Sequence, residues 1–244
     1  MASRERSAIE RRRRAVLVWG AVVLCATAVS CSRGRRTAKA KAKAAEASTS
    51  GTLIEGTGLG TLRIDEATVA SVADAFGAPI TDARTVGSRG EVQLSARPFT
   101  AFFMPPANGQ GPPRLYALRA VAFYEDKPYT GRTSKGVGLL DSIDAMTGAY
   151  GPPDAEWIGQ TEHIEYYQQG VIFATAYAKG ITPALFTKAQ AALGKPPGEA
   201  PDGSVVTCIA VVRRFTVSKA AERLTSGQQV LSAPPQTDLL DNPC

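Results

Sequence analysis

The stretch GVGLLDSIDAMTGAYGPPDAEWIGQTEHIEYYQQGVIFATAY, residues 136–177, contains the change of hydrophobic period on which the fold turns. Ile143, Met146 and Tyr150 stand at i, i+3 and i+7, which stacks them on one face of a short helix, and Asp141 or Ser142 caps its first amides. Gly151 follows the last periodic residue and suits the left-handed conformation of a helix end, while Pro152 and Pro153 cannot extend it. The period then drops to two. In EHIEYY, Ile164 and Tyr166 alternate with His163, Glu165 and Tyr167, which predicts a strand with one wetter face. Gln168-Gln169-Gly170 turns the chain into a second strand, VIFATAY.

A diluted copy of this plan lies 74 residues earlier. Phe76-Gly77-Ala78-Pro79 falls on Tyr150-Gly151-Pro152-Pro153, and in the same register Val69 meets Ile143 and Val72 meets Met146. Matched positions with a shared terminator predict an α+β fold: two tandem helix-plus-antiparallel-strand repeats forming one sheet with helices on one face. The expected organisation is a signal peptide at 1–30, a basic linker at 31–50, a first repeat with a Pro/Gly-rich loop at 51–134, a second repeat with an extra helix and strand at 135–225, and a tail at 226–244.

The short helix closing on (Phe/Tyr)-Gly-x-Pro, followed by strands bearing Tyr-Tyr and Gly-Val-x-Phe, resembles small bacterial envelope lipoproteins. These are the accessory lipoproteins of the outer-membrane barrel-assembly machinery and the tandem-repeat β-lactamase inhibitory proteins. The likeness runs over roughly residues 59–178, on short and degenerate motifs. It implies a non-catalytic envelope protein that binds another envelope protein, or else an inhibitor of a secreted enzyme.

The start of the chain reads as an export signal. Residues 1–14 hold six arginines, and residues 15–29 are small and apolar, too short a run for a membrane span of roughly 20 residues. Ala26-Thr27-Ala28 suits an ordinary signal peptidase, and Ala28-Val29-Ser30-Cys31 resembles a lipobox that would place lipid on Cys31. Retention of the segment as an uncleaved anchor is the third reading. If lipid is attached, Ser32 in place of Asp implies, by that resemblance, sorting to the outer membrane, facing the periplasm. Residues 31–50 carry six basic side chains against Glu46, a net of +5 beside the bilayer, where each cation gains about 1 kcal/mol from anionic headgroups. The same charge also serves a plain solvated spacer.

The basic balance therefore does not describe the folded part. Residues 51–244 contain 16 basic and 19 acidic side chains, a net of −3, with no basic-aromatic cluster of the kind nucleic acid needs. No nucleic acid, metal or cofactor is expected. Of four cysteines, Cys25 leaves with the signal and Cys31 carries lipid, so Cys208 and Cys244 are expected to pair in an oxidising compartment. Chain-entropy reasoning makes such a bridge worth roughly 3 to 4 kcal/mol.

Catalytic chemistry is not legible. His163 is the sole histidine, on the expected solvent side of a strand and without a motif around it. Residues 127–135 link the two copies, and within and just past that link 131–137, GRTSKGV, lacks a lysine after the second glycine and reads as a flexible connection rather than a phosphate loop. Asp141 and Asp144 suit a helix N-terminus. Asp154 and Glu156 can share an edge with Tyr166 and Tyr167, and Glu162 and Glu165 point to opposite faces. The aromatic set Tyr166, Tyr167, Phe173 and Tyr177 is expected to line an open sheet face that engages a partner, or else to pack across strands.

Further strands are expected at 92–94, 99–104 and 115–124, with a surface loop at 105–113. A helix opens at Thr182-Pro183 with Leu185, Ala189, Ala192 and Leu193 on one face, and VVTCIAVVRRF makes a central strand. A short helix at 218–224 and an irregular tail complete the expectation.

Overall fold

The computed structural model describes residues 51–86, 90–106, 108–123, 127–158, 162–214 and 244. The expected signal peptide, Cys31, the basic linker and the helix at 218–224 lie outside these residues, as does the tail apart from Cys244. The described part is α+β, with three α-helices and two antiparallel sheets. No helix among the described residues is long and apolar enough to cross a membrane.

A small sheet comes first: β1 (Leu53–Ile54), β2 (Gly58–Leu59) and β3 (Leu62–Arg63). Helix α1 (Val69–Phe76) follows. Thr68 Oγ1 accepts from Ser71 N and Ser71 Oγ accepts from Thr68 N, a reciprocal cap on two otherwise orphaned amides. Gly77 ends the helix at φ 67°. Then come β4 (Arg84–Val86), β5 (Glu91–Ala96), β6 (Phe99–Met104) and β7 (Arg114–Val121). Helix α2 (Ile143–Tyr150) is capped by Ser142, whose hydroxyl accepts from Ala145 N at 3.2 Å, and stops at Gly151. Four more strands follow: β8 (Ala155–Ile158), β9 (Glu162–Tyr166), β10 (Val171–Tyr177) and, after helix α3 (Pro183–Ala192), β11 (Ser204–Val212).

The large sheet has the order β4-β5-β6-β7-β11-β10-β9-β8, all neighbours antiparallel. The β-branched run of β11 lies near its middle, with both faces buried. One row crosses six strands through paired residues Ala96, Phe99, Ala120, Ile209, Phe173 and Ile164. All six are buried. With them pack Val72 and Ala73 of α1, Met146 and Tyr150 of α2, Phe186 and Ala189 of α3, and Leu53, Leu59 and Leu62 of the small sheet. Each buried Phe, Leu or Ile in that core contributes about 2 kcal/mol by removal from water.

Three expectations are corrected. The polar side of β9 is not wet: His163 and Glu165 are 7% and 2% exposed, because the face remote from the helices is itself buried. In α3 the inward residues are Phe186, Ala189 and Gln190, whereas Leu185 and Ala192 face out. Phe186, Ala189 and the polar Gln190 form the buried stripe; choosing Leu185 rotates the helix by one position, about 100°. Residues 127–135 are no loose connection either. Tyr129 is fully buried, its hydroxyl meeting the carbonyls of Gly51 and Arg132 and accepting from Leu53 N, and Thr133 bridges to Leu53.

Candidate functional site

The aromatic residues expected on an open face separate. Tyr166 and Phe173 point toward the helices and are wholly buried, their rings 6.0 Å apart and each about 5 Å from Tyr150, at 5.0 and 5.1 Å. Tyr167, on the turn after β9, is 8% exposed, and Tyr177, at the end of β10, is 55% exposed. Only Tyr177 of the four is open to a partner. The period-2 alternation was sound, but the apolar members face the helices and the polar members face the other side.

Around Tyr150 lies a polar cluster that sequence reasoning missed. Glu55, between β1 and β2, is 6% exposed, and its two carboxyl oxygens accept from the Tyr150 hydroxyl and from Ser134 Oγ. Burial, then the hydrogen bond to Glu55, raises the Tyr150 phenol well above its ordinary value, so it remains a donor. Lys135 Nζ sits 4.7 Å over the Tyr150 ring and donates to Gln169 Oε1 at 2.6 Å, and Gln169 Nε2 returns to the Tyr150 carbonyl at 3.2 Å. Both carboxyl oxygens are thus occupied. The arrangement clasps the small sheet to the end of α2 across 95 residues of sequence.

Asp141 makes a second clasp. It accepts from Gly138 N and pairs with Arg132 Nη1 and Lys195 Nζ, each at 2.8 Å. Burial alone would raise its carboxyl, but Lys195, the Gly138 amide and Arg132 outweigh that and hold it below the usual carboxylate range. Asp141 thus fastens the approach to α2, and the cap falls to Ser142.

On the outer strands, the carboxyl of Glu156 is raised first by a hydrogen bond to Glu162, then by burial and by the like charge. Thr175 Oγ1 donates to Glu162 at 2.8 Å. The Tyr166 phenol is pushed up to about 12 by burial, then by Glu156 and Asp154. Asp154 itself accepts from Gln168 N and Nε2, both at 3.0 Å, which pins the turn after β9. Glu162 and Glu165 do lie on opposite faces of β9.

The face remote from the helices has a small apolar centre: Phe102, Tyr116, Ala117, Ile172, Ala210 and Val212. Arg119 lies over Phe102 at 5.3 Å and reaches Thr100 Oγ1 at 3.4 Å. Cys208, opposite Ala174 on β10 and Val121 on β7, is joined to Cys244, with Cα atoms 5.9 Å apart. Among the described residues, no three of His, Cys, Asp and Glu converge as a metal site.

No protein-family model, no curated protein and no solved structure matches this chain.

Proposed function

We propose that the chain is a non-catalytic bacterial cell-envelope lipoprotein, attached by lipid at Cys31, whose body is one helix-plus-four-strand unit used twice and which holds another envelope protein. The observation that carries the duplication is the symmetric row across the sheet. Ala120 and Ile209 pair at the centre, Phe99 and Phe173 flank them, and the last helix residues Phe76 and Tyr150 stack on those two rings at 5.3 and 5.1 Å. Phe76 and Phe99 each lie 74 residues before their counterparts Tyr150 and Phe173. The later strands lose that offset because the α3 segment intervenes before β11. Two such units side by side are the plan implied by the resemblance to envelope lipoproteins and inhibitory tandem repeats.

Tyr177 supplies the contact: it is large, aromatic and exposed, a residue type enriched where proteins bind one another. A second reading, inhibition of a secreted enzyme, is favoured by the loop between β6 and β7. Its residues 108–112 are exposed and braced by hydrogen bonds from Gly109 N to Pro106 O and from Gln110 N to Asn108 Oδ1. Photo-crosslinkers at positions 177 and 110, activated in intact envelopes, separate the two. Capture of a membrane or envelope protein from 177, together with loss of that protein's co-purification from the crosslinker-free chain in Tyr177→Arg without change in melting temperature, supports the first. Capture of a secreted enzyme from 110 instead would replace it with the second.

A further inference from the structure

Helix α3 is apolar on both of its sides. Phe186 and Ala189 turn into the core, whereas Leu185 and Ala192 face out. Seven positions of the helix are exposed, and of these only Thr187 and Lys188 carry polar groups; the others are Pro183, Leu185 and three alanines. Leu185, at 37%, is one of four large apolar side chains open to solvent among the described residues. A helix that borders water ordinarily carries charge on its outer side, and one that is apolar all round lies against something. Lys188 stands three residues after Leu185 and Ala192 seven after it, so these three share one outward stripe.

The charge around that stripe has one sign. From residue 178 to residue 198 the chain holds three lysines and no carboxylate. Lys179 pairs with Asp202 and Lys195 with Asp141, which leaves Lys188 as the charge on the outer face of the helix. The turn that carries Glu199 is tied at Gly198 N to Gln190 Oε1, on the buried side of α3. Apolar side chains beside an outward lysine suit a bilayer surface, where acyl chains meet anionic headgroups.

The tether enters the body beside this helix. The basic linker at 31–50 joins the described chain at Gly51, whose carbonyl accepts from the Tyr129 hydroxyl. That hydroxyl also meets the Arg132 carbonyl, and the Arg132 side chain shares Asp141 with Lys195, each at 2.8 Å. Lys195 N donates to the Gln190 carbonyl at 2.9 Å, in the last turn of α3. A few side chains therefore separate the arrival of the linker from the end of the helix.

We infer that the outward face of α3 lies on the membrane surface, with Leu185 reaching toward the acyl chains and Lys188 meeting anionic headgroups. The inference rests on the lipoprotein reading for its tether and not on the Tyr177 contact. A lipid at Cys31 alone would leave the body free to turn on its linker. Contact through α3 gives it one orientation.

The test uses the full-length protein in vesicles of phosphatidylethanolamine with a quarter phosphatidylglycerol. Benzoylphenylalanine is placed at Ala192 or, as a reference, at the exposed Gln110, and after irradiation the peptides are weighed for attached phospholipid. Lipid adducts at 192 are expected in at least fivefold excess over 110. They should fall at least fivefold when Leu185→Glu and Lys188→Glu are combined in the 192 chain, with the melting temperature unchanged because both side chains are exposed. Equal yields at 192 and 110, no lipid at 192, or crosslinks from 192 to a second copy in place of lipid would overturn the inference. So would capture of another protein in place of lipid when the 192 chain is irradiated in isolated envelopes. The same digest weighs the peptide that bears Cys31. Absence of lipid at 192 overturns the inference whether or not Cys31 is acylated, and an unacylated Cys31 overturns the lipoprotein reading by itself.

Discussion

The two ends of the sheet solve one packing problem with different chemistry. In the first half, Phe76 closes α1 on Phe99, and Phe99 in turn meets the Tyr129 ring at 5.1 Å. In the second, Tyr150 closes α2 on Phe173 and Tyr166, and its added hydroxyl finds a buried carboxyl group on Glu55. The apolar stack recurs, and the polar addition occurs only where the small sheet delivers a partner for it. A hydroxyl at that depth is tolerated because its hydrogen bond is made, not because the site is wet.

The largest effects test the shared part. Phe99→Ala and Phe173→Ala should each lower unfolding free energy by about 4 kcal/mol in urea titrations, since both rings are fully buried. Losses that differ by more than about 2 kcal/mol would show that the halves are not equivalent in packing. The next effect tests the difference. Tyr150→Phe leaves Glu55 short of a donor and should cost about 2 kcal/mol, whereas Phe76→Tyr, on a half-buried ring, should change stability by less than about 0.5 kcal/mol.

The smallest effect lies at the rim. The Glu156 carboxyl in the folded protein titrates above its ordinary value, so its contribution to stability is full below the unfolded value of about 4 and is lost as pH rises through the folded value. Glu156→Gln should therefore raise the melting temperature slightly at neutral pH, with the gain vanishing in acid. The outer strand of the first half carries Arg84-Thr85-Val86, where the charge-removing Arg84→Gln should show no such pH-dependent gain.

Much of the architecture was legible because it rests on local signals. Gly77 and Gly151 mark helix ends through backbone conformations that other residues reach at a cost, and β11 announces itself by nine residues with little that is polar. The small sheet was not legible. Its strands are two residues long and set among Gly56, Gly58 and Gly60, too short for any period to register. Strand β8 was also missed, its four residues AEWI offering little alternation. The facing of β9 failed for another reason: His163 and Glu165 look like solvent residues, and only the second buried face explains why they are not. The Glu55 clasp carries no sequence signal, since Tyr150 and Ser134 come from distant positions and only the fold brings them to one carboxyl group.

Gly170 sits where the small sheet, the turn after β9 and the end of β11 meet. Its carbonyl accepts from both Gly56 N and Val212 N, and a Cβ there would come within 2.5 Å of the Gly56 backbone. The beginning of the small sheet and the finish of β11 are thereby stitched to a single corner. A body laid out this way can be re-cut: joining residue 214 to residue 51 through a brief spacer and opening new ends within 108–112 should yield a circular permutant that keeps the strand order of the sheet, less stable by the loss of the Cys208–Cys244 bridge.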